Sequence, residues 1–219
     1  MSAATRIRFC VADDHIVIHD GLRAMADRTD DLEYAGGAAD VASLRLLLDK
    51  VHPDLLVLDL RFGCVDGFAV CRDVLREHDT LKVMFFSAFG DVELLREGVA
   101  SGGSGYLLKD ASTASLPAAM RQVMTEGNYF DPRLAGEAIR RAFAPAEGTP
   151  RPITDRERVI LTMIADGKIT KEIARELSLS PHTIKSYVSR LMKDFGVARR
   201  AELVRVALDR HLIRRSEER

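Results

Sequence analysis

Few cysteines, no long apolar run and almost no net charge set the first limits on this 219-residue chain. Its three cysteines, Cys10, Cys64 and Cys71, are odd in number and lack C-x-x-C spacing. That pattern fits reduced thiols in core or surface better than a disulfide framework or a zinc frame. The first ten residues contain two arginines, and the apolar run there extends only from Ile7 to Val11 even when Arg8 is ignored. Such a stretch is neither a signal-peptide core nor a membrane span, so a cytoplasmic protein with no membrane partner is expected. The formal net charge of -1 conceals a split. Residues 151–219 hold 16 Lys and Arg against 10 Asp and Glu, whereas the preceding residues hold 16 against 23. An acidic first part suits a cation or phosphate chemistry, and a basic last part suits a polyanion such as DNA.

A hydrophobic content of 47% is ample for ordinary cores. The organising stretch is Leu55-Leu56-Val57-Leu58, four aliphatic residues that run straight into Asp59. A short continuous apolar run reads as a strand buried on both faces, the pattern of a parallel sheet covered by helices. Asp59 then stands at the carboxyl end of that strand, the edge where open parallel sheets carry their ligands. A first strand over 6–11 ends in Ala12-Asp13-Asp14-His15, and a helix follows over 17–28. A weak strand covers 32–39, and Asp40 caps a helix over 41–50. Beyond Asp59, residues 61–67 read as a flexible loop before a helix over 68–77. A fourth strand, 82–87, ends in Ser87; a helix over 91–100 stops at Gly102-Gly103; a fifth strand, 105–108, is closed by Lys109. Ser112 or Ser115 caps a last helix to Glu126, with Pro117 tolerated in its first turn. This alternation of strand and helix is the signature of a doubly wound α/β sheet.

From Asp131 the pattern changes. A lone helix is expected over 132–143, and 144–152 holds three prolines and a glycine, a linker. Beyond it lies only helix. Thr154 and Glu157 form a capping box opening 158–166, with Gly167 as its stop. Thr170 caps 171–177, Ser180-Pro181 opens a helix to Phe195, and a fourth helix spans 200–211.

Strand ends thus offer Asp13, Asp14, Asp59, Ser87 and Lys109. Three converging carboxylates stay ionised cheaply only beside a cation, and a hard divalent ion with oxygen ligands is the natural one, so Mg2+ is implied. Lys109 supplies a point positive charge and Ser87 a hydroxyl, the groups needed around phosphoryl oxygens, and Asp59 is the candidate nucleophile. In the last domain Ile184, Val188, Leu191 and Phe195 recur at helical spacing as a buried stripe. Opposite them lie His182, Lys185, Ser186, Ser189 and Lys193, small polar groups flanked by cations that suit a major groove.

In order along the chain, Asp13-Asp14-His15, Leu58-Asp59-Leu60-Arg61, Asp66-Gly67, Ser87-Ala88 and Gly105-Tyr106-Leu107-Leu108-Lys109-Asp110 resemble the receiver domain of two-component response regulators. Thr154 to Glu157, Ile164 to Gly167, Lys171 to Ala174, Leu179-Ser180, Thr183 to Lys185 and Gly196-Val197 resemble the LuxR-type helix-turn-helix. The whole chain is similar to the NarL/FixJ family of response regulators. The resemblance implies a five-stranded parallel, flavodoxin-like receiver over 5–127, a linker with a helix over 128–152, and an all-α DNA-binding domain over 153–214.

It further implies that Asp59 accepts a phosphoryl group from a histidine kinase. Asp14, Asp59 and the main-chain carbonyl of Arg61 would hold Mg2+, with Asp13 beside them through water. Ser87 and Lys109 would grip the phosphate, and Tyr106 would be the aromatic switch. The helix 171–177 would support the recognition helix 181–195. Lys185, Ser186 and Ser189 would face bases, while Thr170, Lys171, Thr183 and Arg190 would hold phosphates. Phosphorylation would favour a homodimer on a two-half-site operator. Phe62-Gly63 stands where the family has Met-Pro, and His19-Asp20 where it has Arg-Glu; His19 receives no role. The rival readings are a Mg2+-dependent phosphotransferase or phosphatase, and a regulator that works without phosphate.

Overall fold

The computed structural model describes residues 6–63, 65–88, 90–110, 115–143 and 153–213, with side chains to residue 140 in the fourth segment. Cys64, Ser112 as a cap, Arg214 and the proline-rich stretch 144–152 lie outside the described residues. The chain divides into two compact units, Met1–Arg140 and Arg141–Arg219.

The first unit alternates strand and helix: β1 (Ile7–Ala12), α1 (Ile16–Ala26), β2 (Leu32–Ala38), α2 (Val41–Val51) and β3 (Leu55–Leu58). There follow β4 (Arg61–Phe62), β5 (Val65–Asp66), α3 (Gly67–Glu77), β6 (Lys82–Ser87), α4 (Val92–Ala100), β7 (Gly105–Leu108), α5 (Ser115–Glu126), β8 (Tyr129–Phe130) and α6 (Pro132–Phe143). Every residue of β3 is buried, as is β1 from Phe9 onward, because helices cover both faces of the sheet. One face of the sheet packs Phe9, Val11, Leu55, Val57, Met84 and Phe86 against Leu22 and Ala26 of α1 and against Leu116, Ala119, Met120 and Val123 of α5. Asp40 and Ser43 close the expected cap on α2 as a reciprocal box, with Ser43 N donating to Asp40 Oδ1 at 2.8 Å. The buried thiols of Cys10 and Cys71 are both free, and burial pushes their pKa values up to about 12 and about 11.

The strand order is β2-β1-β3-β6-β7-β8 and every neighbouring pair is parallel. The sheet therefore has six strands, not five. The extra one, β8, is two residues long, too short for any periodicity to register. Its backbone nevertheless pairs with β7: Tyr129 N donates to Ser104 O at 3.0 Å and Asp131 N to Tyr106 O at 2.8 Å. Residues 61–67, expected as a flexible loop, hold an antiparallel ribbon pairing Arg61 with Asp66 and Phe62 with Val65. Gly63, at φ 61°, makes the turn, and Phe62 is buried. The glycine that departs from the family pattern thus serves a hairpin beside Arg61.

Among the described residues from 153 onward the second unit holds helices and no strand: α7 (Asp155–Ala165), α8 (Thr170–Glu176), α9 (Pro181–Phe195) and α10 (Arg200–Asp209). The Thr154 and Glu157 capping box is formed, with Glu157 N donating to Thr154 Oγ1 at 3.2 Å and Thr154 N to Glu157 Oε2 at 2.8 Å. Thr170 does not cap α8. It is the first helical residue, and the extended Ile169 before it is the cap, its N–H donating to Glu172 Oε2 at 2.8 Å. Ser180 Oγ accepts from Thr183 N at 2.9 Å, Pro181 opens α9, and Gly196 at φ 66° ends it. A separate core gathers Ile153, Leu161, Leu191, Leu203, Ala207 and Ile213. Among the described residues no helix is long and apolar enough to cross a membrane.

Candidate metal centre and nucleic-acid interface

The sheet order reverses between β1 and β3, and the crevice of a doubly wound sheet opens at such a reversal. Register brings the two key carboxylates to that point. Ala12 pairs with Leu58, so Asp13 and Asp59 emerge side by side, and Asp59 N donates to Ala12 O at 2.8 Å. On the next pair of strands Ser87 stands opposite Leu108, and Lys109 N donates to Ser87 O at 2.8 Å. The structure thus collects Asp13, Asp59, Ser87 and Lys109 at adjacent carboxyl ends.

Lys109 Nζ lies 2.5 Å from Asp13 Oδ2 and 3.0 Å from Asp59 Oδ2. Asp13 is only 2% exposed, Asp59 5% and Ser87 not at all. Burial raises the pKa of Asp59 above the ordinary carboxylate value; the Lys109 ammonium pulls it back, and the nearby charge of Asp13 adds to the rise. Asp14 stands at the open rim, and donor atoms of Asp13, Asp14, His15 and Asp59 all lie within 4.8 Å of one another. Three carboxylates, two of them against Lys109, make an anionic donor set, and its hard oxygens fit a divalent ion such as Mg2+. Arg61 sits in β4, two residues past Asp59, with its backbone held by Asp66.

Backbone approach explains Gly67. A Cβ there would stand 2.7 Å from Asp59 O and 2.8 Å from Leu60 O, so only glycine lets α3 begin against the strand end. Tyr106 is 1% exposed, with its ring packed 5.8 Å from that of Phe85.

Two histidines were not assigned in the site from sequence. His15 Nδ1 lies 3.0 Å from Asp13 Oδ1 and 2.8 Å from Asp14 Oδ1. His19, one helical turn further on, places Nε2 2.7 Å from Asp13 O and Nδ1 3.3 Å from Tyr34 Oη. The available signal was their i, i+4 spacing beside the Asp pair. Beyond Lys109, the Arg133 guanidinium donates to both carboxylate oxygens of Asp110, at 3.2 and 2.9 Å, and to both of Asp131, at 3.0 and 2.8 Å. This fork ties the turn after β7 to the start of α6.

In the second unit α9 buries Ile184, Tyr187 and Leu191, with Val188 and Phe195 partly covered. His182, Lys185, Ser189 and Lys193 are exposed and Ser186 is half-buried. Two expected phosphate contacts are placed differently. Thr183 is 1% exposed, with its Oγ1 2.8 Å from Ser180 Oγ, so its hydroxyl serves the helix start and presents no open face. Arg190 is largely covered, its Nε 3.9 Å from Asp194 Oδ2. Lys171 is exposed, and Thr170 Oγ1 accepts from Arg200 at 3.3 Å while Arg200 also donates to Lys168 O at 2.7 Å.

A carboxylate and lysine pocket at the switch point of a doubly wound sheet, joined in one chain to a unit whose described residues form short helices with a capped α9, is the arrangement of a receiver coupled to a helix-turn-helix module. Known proteins agree. Residues 9–121, more than half of the chain, match the response regulator receiver domain, and residues 151–207 match the bacterial regulatory proteins of the luxR family. The chain therefore belongs to the response regulators with a luxR-family domain, DNA-binding transcriptional regulators of the two-component type. It is 30% identical over 217 residues to the transcriptional regulatory protein MctR of Rhizobium johnstonii, covering 97% of this chain and 98% of that one. It is 29% identical over 198 residues to the DNA-binding transcriptional activator DevR/DosR of Mycobacterium tuberculosis, covering 90% and 91%. In fold it is similar to the response regulator RcsB of Salmonella typhimurium, with a TM-score of 0.63 at 20% identity over 92% of this chain and 98% of that one. An RcsB–DNA complex gives a TM-score of 0.60 at 21% identity over 92% and 97%. These relatives are regulators, and the rival reading as a phosphotransferase or phosphatase enzyme falls with them.

Proposed function

We propose that this regulator is switched by phosphorylation of Asp59 from a partner histidine kinase, in the cytoplasm, and that the phosphorylated form pairs on DNA. The observation that carries the reading is the buried Asp59 carboxylate 3.0 Å from Lys109, at strand ends shared with Asp13 and Ser87. A desolvated carboxylate is a better nucleophile than a hydrated one, and the Lys109 ammonium opposes the rise in pKa that burial causes. An Asp59 oxygen bonds to phosphorus as the phosphorus–nitrogen bond of a phosphohistidine breaks. The electron pair leaves with the imidazole, and an acyl phosphate remains. Lys109 and the Ser87 hydroxyl then balance the phosphoryl oxygens. Asp13, Asp14, Asp59 and the carbonyl of Arg61 would hold Mg2+, which when bound neutralises charge between carboxylate and phosphate.

Tyr106 of β7, beside Phe85 of β6, would be the switch that reports the state of Ser87. The working units proposed are 5–127, 128–152 and 153–214. On the reading helix, Lys185, Ser186 and Ser189 face bases and His182 and Lys193 flank them, while Thr170 and Lys171 lie toward the phosphate backbone. RcsB, which has this fold, forms a complex with DNA, and that supports the same use of the fold in this chain. A single short reading helix binds weakly, and pairing gains by effective concentration across half-sites about 10 base pairs apart. The test is to incubate the protein with a small acyl phosphate and Mg2+ and follow mass and sedimentation together. One added phosphoryl group with a shift from monomer to dimer is expected. No uptake would favour the regulator that works without phosphate.

A further inference from the structure

We propose that His15 is a nitrogen ligand in this pocket and shifts its cation preference away from Mg2+ toward first-row transition ions. The inference rests on the reading of the pocket as a divalent-cation site. His15 is the one nitrogen donor among the four grouped residues, and nothing in the phosphoryl chemistry uses it.

Geometry supports coordination. Adjacent ligands of an octahedral ion bound at about 2.1 Å stand about 3.0 Å apart, and opposite ligands about 4.2 Å apart. His15 Nδ1 is 2.8 Å from Asp14 Oδ1 and 3.0 Å from Asp13 Oδ1, the adjacent spacing in both cases. With Asp59 the donor atoms lie within 4.8 Å of one another, so closing on an ion needs only a small inward shift from the widest pair. Asp13 Oδ2 is engaged by Lys109, while Oδ1, the oxygen facing His15, accepts from His15 N and has a second lone pair for a cation. The main chain of His15 is tied to the same carboxylate, His15 N donating to Asp13 Oδ1 at 2.9 Å. Without an ion, the same distances suit an Nδ1–H donating to the two carboxylates. With the proton on Nε2, the Nδ1 lone pair points along the same line into the cluster. The ring is 69% exposed, so solvent serves Nε2.

Chemistry then sets the preference. Mg2+ favours an all-oxygen shell with several waters, whereas an imidazole adds affinity for later divalent ions. His15 therefore contributes little to Mg2+ binding and much to Co2+ binding, and it coordinates Mn2+ directly.

The experiment uses the full chain and His15→Gln, an exposed substitution that leaves the carboxylates in place. Mn2+ is bound to each protein and pulsed electron paramagnetic resonance reads directly coordinated nitrogen. The wild type is expected to show strong nitrogen modulation, and His15→Gln is expected to bind Mn2+ without it. Competition binding with Co2+ against Mg2+ should show about tenfold weaker Co2+ binding in the variant, with Mg2+ binding changed by less than about threefold. Bound Mn2+ with no coordinated nitrogen in the wild type, or the same modulation in the variant, overturns the role of His15 and leaves the cation site standing. No bound Mn2+ in either protein overturns the cation site itself, and this inference with it.

Discussion

The carboxylate pocket of the first unit and the helix α9 of the second handle charge in opposite ways. In the pocket, Asp13 and Lys109 meet from positions 96 residues apart, and the groups are drawn out of water by strands that the whole sheet places in register. In α9 the polar groups come from one 15-residue helix and stay on its wet face while Ile184, Tyr187 and Leu191 are buried. Charges that are desolvated and close act strongly and locally; charges in water are screened within about 10 Å and act in sum. Substitutions in the pocket should therefore be all-or-none, and those on the helix graded and salt-dependent.

The largest effect is expected at Asp59→Asn. The change keeps size and removes the nucleophile, so phosphoryl uptake should vanish while circular dichroism is unchanged. Undiminished acid-labile phosphate on the variant would move the acceptor elsewhere. Next is the core beneath the reading helix. Leu191→Ala should cost the second unit about 2–5 kcal/mol, as buried leucine truncations do. In a thermal scan only that unit's transition should move, and an equal shift in both would show that they do not unfold separately.

Lys185→Ala should weaken specific operator binding by about 1–3 kcal/mol, and binding to random DNA by less. Equal losses on both in a fluorescence titration would reassign Lys185 to the phosphate backbone. A smaller effect, about 1 kcal/mol of unfolding free energy, is expected from Ser180→Ala, which removes the cap that accepts from Thr183 N.

The pH response sharpens the contrast between two carboxylates of the first unit. Burial raises Asp59, so the native state holds its proton more tightly than the unfolded chain does. Its effect is a loss of stability as pH rises from the ordinary carboxylate value through the raised one. Asp131 is also pushed up by burial, but the hydrogen bonds and charge of Arg133 prevail and its pKa is lowered. Its contribution is present above the ordinary value and is lost as pH falls through the lowered one. Denaturant unfolding at stepped pH should show Arg133→Gln losing stability near neutral pH and narrowing that gap in acid. A constant deficit at all pH values would mean that Arg133 acts through packing alone.

Much of this was open to reading from residues alone, for reasons of range. Strands β1, β3, β6 and β7 declared themselves as short apolar runs, and the caps at Asp40, Thr154 and Ser180 as side chains a few positions from the N–H groups they satisfy. The sixth strand escaped because two residues carry no period, and the ribbon at Arg61–Phe62 because Gly63 reads equally well as loop. Thr183 looked like a surface hydroxyl. Only the packing under α9 shows that it faces Ser180 and the interior.

What the sequence by itself determined is the order of elements, the identity of the groups at strand ends and the two faces of α9, because helix period, strand burial and capping act within a few residues. What only the tertiary structure decided is which of those groups meet. The parallel register that sets Asp13 beside Asp59 and the salt bridge from Lys109 to both depend on the sheet order and on where side chains settle. Such contacts form only when distant segments exclude water together, and no local pattern in the chain encodes that distance.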